Sequence, residues 1–117
     1  MCCLTDLLCG RRKHLKRCVR KNFHADAALF VWALQHVFDP QKVLSLLDKC
    51  LMPGGKTYIL NNHIRCVPCD VGYIDDGISV KELANSFFEL VAESELPEAI
   101  TTKSLASHTA VSIYIKQ

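Results

Sequence analysis

The sequence predicts an open α/β fold in which parallel strands are joined by a crossover helix. Three observations predict it. Residues 26–35, DAALFVWALQ, form an unbroken apolar run of strand character. A capped amphipathic helix opens at Asp39-Pro40. A Pro53-Gly54-Gly55 turn then leads into a second apolar run, Thr57-Tyr58-Ile59-Leu60. Two buried strands joined by a helix imply a parallel pair. The chain has 117 residues, enough for one domain and too few for two.

Residues 1–22 are read as a separate basic, cysteine-containing segment, and residues 23–117 as the α/β domain. The first 21 residues hold seven of the 14 lysines and arginines and one acid, a charge of +6. The remainder carries seven bases and 11 acids, a charge of −4. The overall charge of +2 hides this asymmetry. After Gly10, RRKHLKRCVRK has the spacing of a basic helix with Leu15, Cys18 and Val19 on one side. Met1-Cys2-Cys3 before the basic cluster has the form of a palmitoylation signal with a polybasic second anchor. The same charges suit RNA phosphates, but no aromatic lies among them to stack on bases, and nucleic acid is not the expected partner. The simplest account is a solvated basic tail.

The run 26–35 does not alternate, so burial on both faces is expected. Asp39 is a good N-cap because its carboxylate accepts an orphan backbone N–H. Pro40 at the first helical position gives up a donor that was unpaired anyway. Val43, Leu44, Leu46, Leu47, Cys50 and Leu51 recur at helical spacing and make one apolar face. Pro53 is expected to stop the helix, and Gly54-Gly55 to allow the return. Residues 61–78, NNHIRCVPCDVGYIDDGI, are rich in turn formers and read as loop. Ser79-Val80-Lys81-Glu82 matches a capping box. The apolar spacing of Val80, Leu83, Ala84, Phe87, Leu90 and Val91 carries that helix to about Ser94. Ile100 to Lys103 has the character of a short strand. Residues 109–116 alternate, with Val111, Ile113 and Ile115 on one face, and read as a final one-sided or edge strand.

The stretch from Asp26 through Trp32-Ala33-Leu34-Gln35-His36-Val37, Asp39-Pro40 and Leu51-Met52-Pro53-Gly54-Gly55 to KTYIL resembles the second half of class I S-adenosylmethionine-dependent methyltransferases. The resemblance covers roughly residues 23–117. It implies a truncated Rossmann-like methyltransferase sheet, with parallel strands, crossover helices and a C-terminal antiparallel strand pair. It also implies that Ala33, Leu34, Gln35 and His36 touch the methionine and adenine side of S-adenosylmethionine. His36 is the candidate base for the acceptor's proton, or it orders the loop by hydrogen bonding. The family binds its cofactor mainly in its first half, through a Gly-rich turn and a ribose-binding acid. The chain contains no G-x-G-x-G. Asp6-Leu7-Leu8-Cys9-Gly10-Arg11-Arg12 is only faintly like such a turn, with Leu8 and Arg12 in place of glycines.

Seven cysteines, an odd number, and no secretory signal point to reduced thiols and a cytoplasmic location. No apolar stretch reaches the ~18–20 residues of a membrane span. Cys66-Val67-Pro68-Cys69 gives two of the four ligands a structural zinc needs, and His63 is a third candidate, so no metal site is assigned. Three functions stay open. The first is methyl transfer from S-adenosylmethionine to a small-molecule acceptor. The second is a non-catalytic methyltransferase-like module that self-associates or pairs with a partner chain through the apolar strand edge near residues 26–34. The third is a thiol or metal protein.

Overall fold

The computed structural model describes residues 24–97, 99 and 108–117. The basic segment and the strand expected over Ile100 to Lys103 lie outside the described residues. Within them the chain runs β1 (Ala25–Val31), a short 3₁₀ turn (Leu34–His36), α1 (Pro40–Cys50), β2 (Leu51–Asn62), β3 (Val67–Cys69), β4 (Gly72–Ile74), α2 (Val80–Phe87), β5 (Glu89–Glu95) and β6 (Thr109–Ile115). The main sheet has the order β1-β2-β6-β5. β1 and β2 are parallel, and β6 runs antiparallel to both β2 and β5. The expected α/β architecture, a parallel pair continued by an antiparallel pair, is therefore present.

Local chemistry sets the helix starts. The Asp39 side chain accepts from the Lys42 N–H at 3.1 Å, with Pro40 at the first helical position. The Ser79 hydroxyl accepts from the Glu82 N–H at 3.2 Å. α1 buries Val43, Leu44, Leu46, Leu47 and Cys50 against the sheet. Val43, Leu44, Leu46 and Leu47 form one core with Ala28, Phe30, Leu34, Ile59, Ala84, Phe88 and Tyr114. Full burial of a side chain such as Leu44 or Phe30 contributes roughly 1.5–3 kcal/mol.

Four expectations need correction. First, the run 26–35 is not buried on both faces. Ala28 and Phe30 are buried, whereas Leu29 and Val31 are 36% and 37% exposed. Second, α1 ends at Cys50, before Pro53, and Leu51 already has extended dihedrals. The Pro53-Gly54-Gly55 turn lies inside β2, where the β1 pairing jumps from Ala25↔Leu51 to Ala27↔Lys56. Third, α2 ends at Phe87 and not near Ser94. The apolar spacing of Leu90 and Val91 is equally readable as strand, and pairing with β6 decides it: Leu90 opposes Tyr114 and Ala92 opposes Ile113. Fourth, β6 is no edge. It lies between β2 and β5, and it buries Ser112 and Tyr114 while Val111, Ile113 and Ile115 are half-buried on the other face.

The loop expected over 61–78 also contains order. β3 and β4 form a small antiparallel hairpin, with Val67 opposite Ile74 and Cys69 opposite Gly72. Lys116 closes the far end of the domain. Its ammonium donates to the carbonyls of Asp48 and Leu51 at the C-terminus of α1, where positive charge is favoured. No described helix is long and apolar enough to cross a membrane.

Candidate functional site

Parallel strands bring their carboxyl ends together, and in open α/β sheets that end forms the ligand crevice. Here that end holds Trp32 to His36, after β1, and Asn61 to Arg65, at and just beyond the end of β2. Trp32 makes the turn out of β1. Its backbone N–H still donates to the Leu60 carbonyl at 2.7 Å, but its φ is +47°, a left-handed value costly for a bulky residue. Its indole Nε1 is buried and has no hydrogen-bond partner. Trp32 therefore combines backbone strain with a donor that needs an acceptor the described residues do not supply.

The four sequence-predicted residues follow directly. Ala33 is half-buried beside the core, and Leu34 is fully buried within it. Gln35 is buried and acts as a clamp between the two strand ends. Its backbone N–H donates to Asn61 Oδ1 at 3.0 Å, and its side-chain oxygen accepts from the Asn62 N–H at 2.7 Å. His36 is exposed but both ring nitrogens are engaged. Nδ1 lies 2.7 Å from the Cys66 carbonyl, which can only accept, so Nδ1 carries the hydrogen. Nε2 then accepts from the Gln35 amide nitrogen at 3.2 Å. The Tyr73 ring lies 5.9 Å from the imidazole and tilted to it.

Arg65 is the largest polar feature that sequence reasoning missed. Its side chain is 2% exposed. Nη1 donates to the Leu34 carbonyl at 2.5 Å and Nη2 to the Val37 carbonyl. Nε and Nη2 also grip the Asp76 carboxylate at 3.0 and 2.9 Å. This guanidinium ties the turn after β1 to the loop after the hairpin, and its bond to Asp76 holds that carboxyl below its ordinary value. No spacing signal marks it, because its partners lie 11 to 31 residues away.

The thiols of Cys66 and Cys69 flank the same region. The Cys66 backbone donates to the Gln35 carbonyl at 2.9 Å, so this residue joins the hairpin to the crevice through its main chain. Among the described residues no group of three His, Cys, Asp or Glu side chains is arranged to hold a metal ion.

No described carboxylate here stands ready for a pair of ribose hydroxyls, since Asp39 caps α1 and Asp75 and Asp76 hold their own turn.

No family model and no curated protein matches the chain. Solved structures do. The [4+2]-cyclase SpnF superposes with a TM-score of 0.57 at 14% identity, over 80% of this chain and 51% of its own. The N-methyltransferase NodS from Bradyrhizobium japonicum WM9, solved with S-adenosyl-L-homocysteine, gives 0.57 at 12% identity, over 80% and 47%. A S-adenosylmethionine-dependent methyltransferase from Mesorhizobium loti gives 0.54 at 14% identity, over 84% and 67%. The chain thus spans about half the length of SpnF and of NodS. These likenesses establish the class I S-adenosylmethionine-dependent methyltransferase fold, a Rossmann-like α/β sheet, and the fold alone. A cyclase among them shows that the reaction does not follow from the fold.

Proposed function

We propose that this methyltransferase-fold chain presents one wall of an S-adenosylmethionine site at the carboxyl ends of β1 and β2, and serves methyl transfer to a small-molecule acceptor. The observation that carries the reading is Trp32, where a left-handed backbone and a buried indole N–H without a partner among the described residues coincide in the turn out of β1. The residues that would line the cofactor are Ala33, Leu34, Gln35 and His36, with the Trp32 indole as donor. When bound, S-adenosylmethionine supplies a methyl group already activated on a sulfonium. The chain then has to position the reactants and exclude water, which is most of what such a transfer needs. Gln35, Asn61, Asn62 and Arg65 hold the wall rigid for that task. His36, with both ring nitrogens engaged, serves first to order this wall. It acts as a base only if its bond from Gln35 opens.

Calorimetric titration of the full chain with S-adenosylmethionine and S-adenosylhomocysteine tests the reading. Saturable binding is expected, with Trp32→Phe weakening it about three- to tenfold, the worth of one hydrogen bond. Absence of binding to the wild-type chain overturns the proposal.

A second reading, a non-catalytic module that pairs with another chain, is favoured by the edge of β1, which is open among the described residues. Trp32 donates towards β2, so by alternation the backbone groups of Leu29 and Val31 point away from it. The edge carries no Lys, no Pro and, after Asp26, no charge to discourage pairing. An antiparallel pairing of two copies about a two-fold axis at Leu29 sets Ala28 against Phe30 and Ala27 against Val31, small against large on both faces. The partner favoured is therefore a second copy of this chain.

A further inference from the structure

A cavity of about 180 Å³ lies between the start of α2, the end of β2 and the β5–β6 ladder. Its walls include Ile59 and Val80, both buried apolar side chains. Its floor is polar. Ser112 and Tyr114 sit two residues apart on the buried face of β6, and both line the cavity. Glu93 lies directly across from Ser112 and closes on Lys81 at 2.7 Å at the rim.

Size, charge and polarity together narrow what fits. A dry cavity of about 150 Å³ accepts a benzene ring, so this one has room for a single substituted ring. It is smaller than the roughly 300–1,000 Å³ of sites for drug-sized ligands. The Lys, Arg and Glu side chains of its wall, Lys81, Arg65 and Glu93, are each closed on a partner, so the cavity offers none of them unpaired to a charged ligand. The two floor hydroxyls can each donate one hydrogen bond and accept another. Burial pushes the Tyr114 phenol above its ordinary value of 10.0, with the neighbouring Ser112 opposing the shift, so this group remains an O–H at neutral pH.

We propose that this cavity binds a small neutral ring compound bearing one hydroxyl, with the ring against Ile59 and Val80 and the hydroxyl on Ser112 and Tyr114. Asn61, Asn62 and Arg65 line both this cavity and the crevice, so the bound compound lies beside the carboxyl ends of β1 and β2. Its role as methyl acceptor rests on the function proposed above; its binding does not.

The test is a titration of the isotope-labelled full chain with phenol, followed by amide chemical shifts, with no S-adenosyl compound present. Saturable shifts centred on Val80, Ser112 and Tyr114 are expected. Toluene, which has the shape without the hydroxyl, is expected to bind about three- to tenfold more weakly. Benzoate is expected to bind more weakly than phenol. Ser112→Val is expected to abolish the preference for phenol over toluene. Equal binding of phenol and toluene to the wild-type chain overturns the proposal even if the variant fails to fold. So do shifts confined to Trp32–His36, or none that saturate. Binding of phenol without binding of S-adenosylhomocysteine would sustain this inference and remove the cofactor reading alone.

Discussion

Arg65 shows how much one side chain decides at this site. It is buried, and it satisfies two carbonyls of the turn after β1 while pairing with Asp76. Removing a buried cation's bonds leaves acceptors without donors, the costly side of hydrogen-bond energetics. Arg65→Met is expected to lower unfolding free energy by on the order of 3 kcal/mol in urea titration. Arg65→Lys should not restore it, because an ammonium cannot span the same fork. The Asp76 carboxyl is held below its ordinary value of 3.8, chiefly by its bond from Arg65. A depressed folded-state value means that the group stabilises the fold above its unfolded value. That contribution fades as pH falls through the folded value. Asp76→Asn should therefore be less stable than wild type at neutral pH, and the gap should narrow in acid melts below about pH 4. An unchanged gap there would remove this assignment.

Glycine chemistry matters at one element above all, the turn inside β2. Gly54 has a φ of +79°, and its N–H donates to the Lys116 carbonyl at 2.7 Å. At Gly55 a Cβ would meet the Met52 carbonyl at 2.7 Å and the Leu51 side chain at 2.8 Å. The obstacle includes backbone and cannot rotate away. Gly55→Ala is expected to cost roughly 1–3 kcal/mol and to weaken the β2–β6 end pairing, read as faster amide exchange at Lys116. β5 is the contrasting element. Its residues have helical apolar spacing, yet they are strand because β6 needs a partner on that side.

At the scale of the molecule, helices cover one face of the sheet and β1 leaves its outer edge open among the described residues. The other face shows Leu29 and Val31, with Val111, Ile113 and Ile115 half-buried. The pairing of two copies proposed above uses the β1 edge. Size exclusion with light scattering is expected to show a dimer at high concentration. Leu29→Lys, at an exposed position on the two-fold axis, should return it to monomer with little loss of fold, since it sets like charges directly opposite each other. A wild-type monomer across that concentration range would defeat the dimer.

The sequence by itself determined the elements whose cause is local. Asp39 and Ser79 begin helices because their side-chain oxygens meet the N–H three residues on. The run to Val31 and the run to Leu60 are strands because both are long, apolar and bounded by turn formers. The order of these pieces was enough to bring out the methyltransferase likeness and to point at Trp32 to His36. Tertiary structure alone decided the rest. It placed Arg65 under the crevice, engaged both nitrogens of His36, turned residues 89–95 into strand and set β6 between two neighbours. Each of these depends on partners far away in the chain, and spacing along a sequence carries no information about which distant groups will meet.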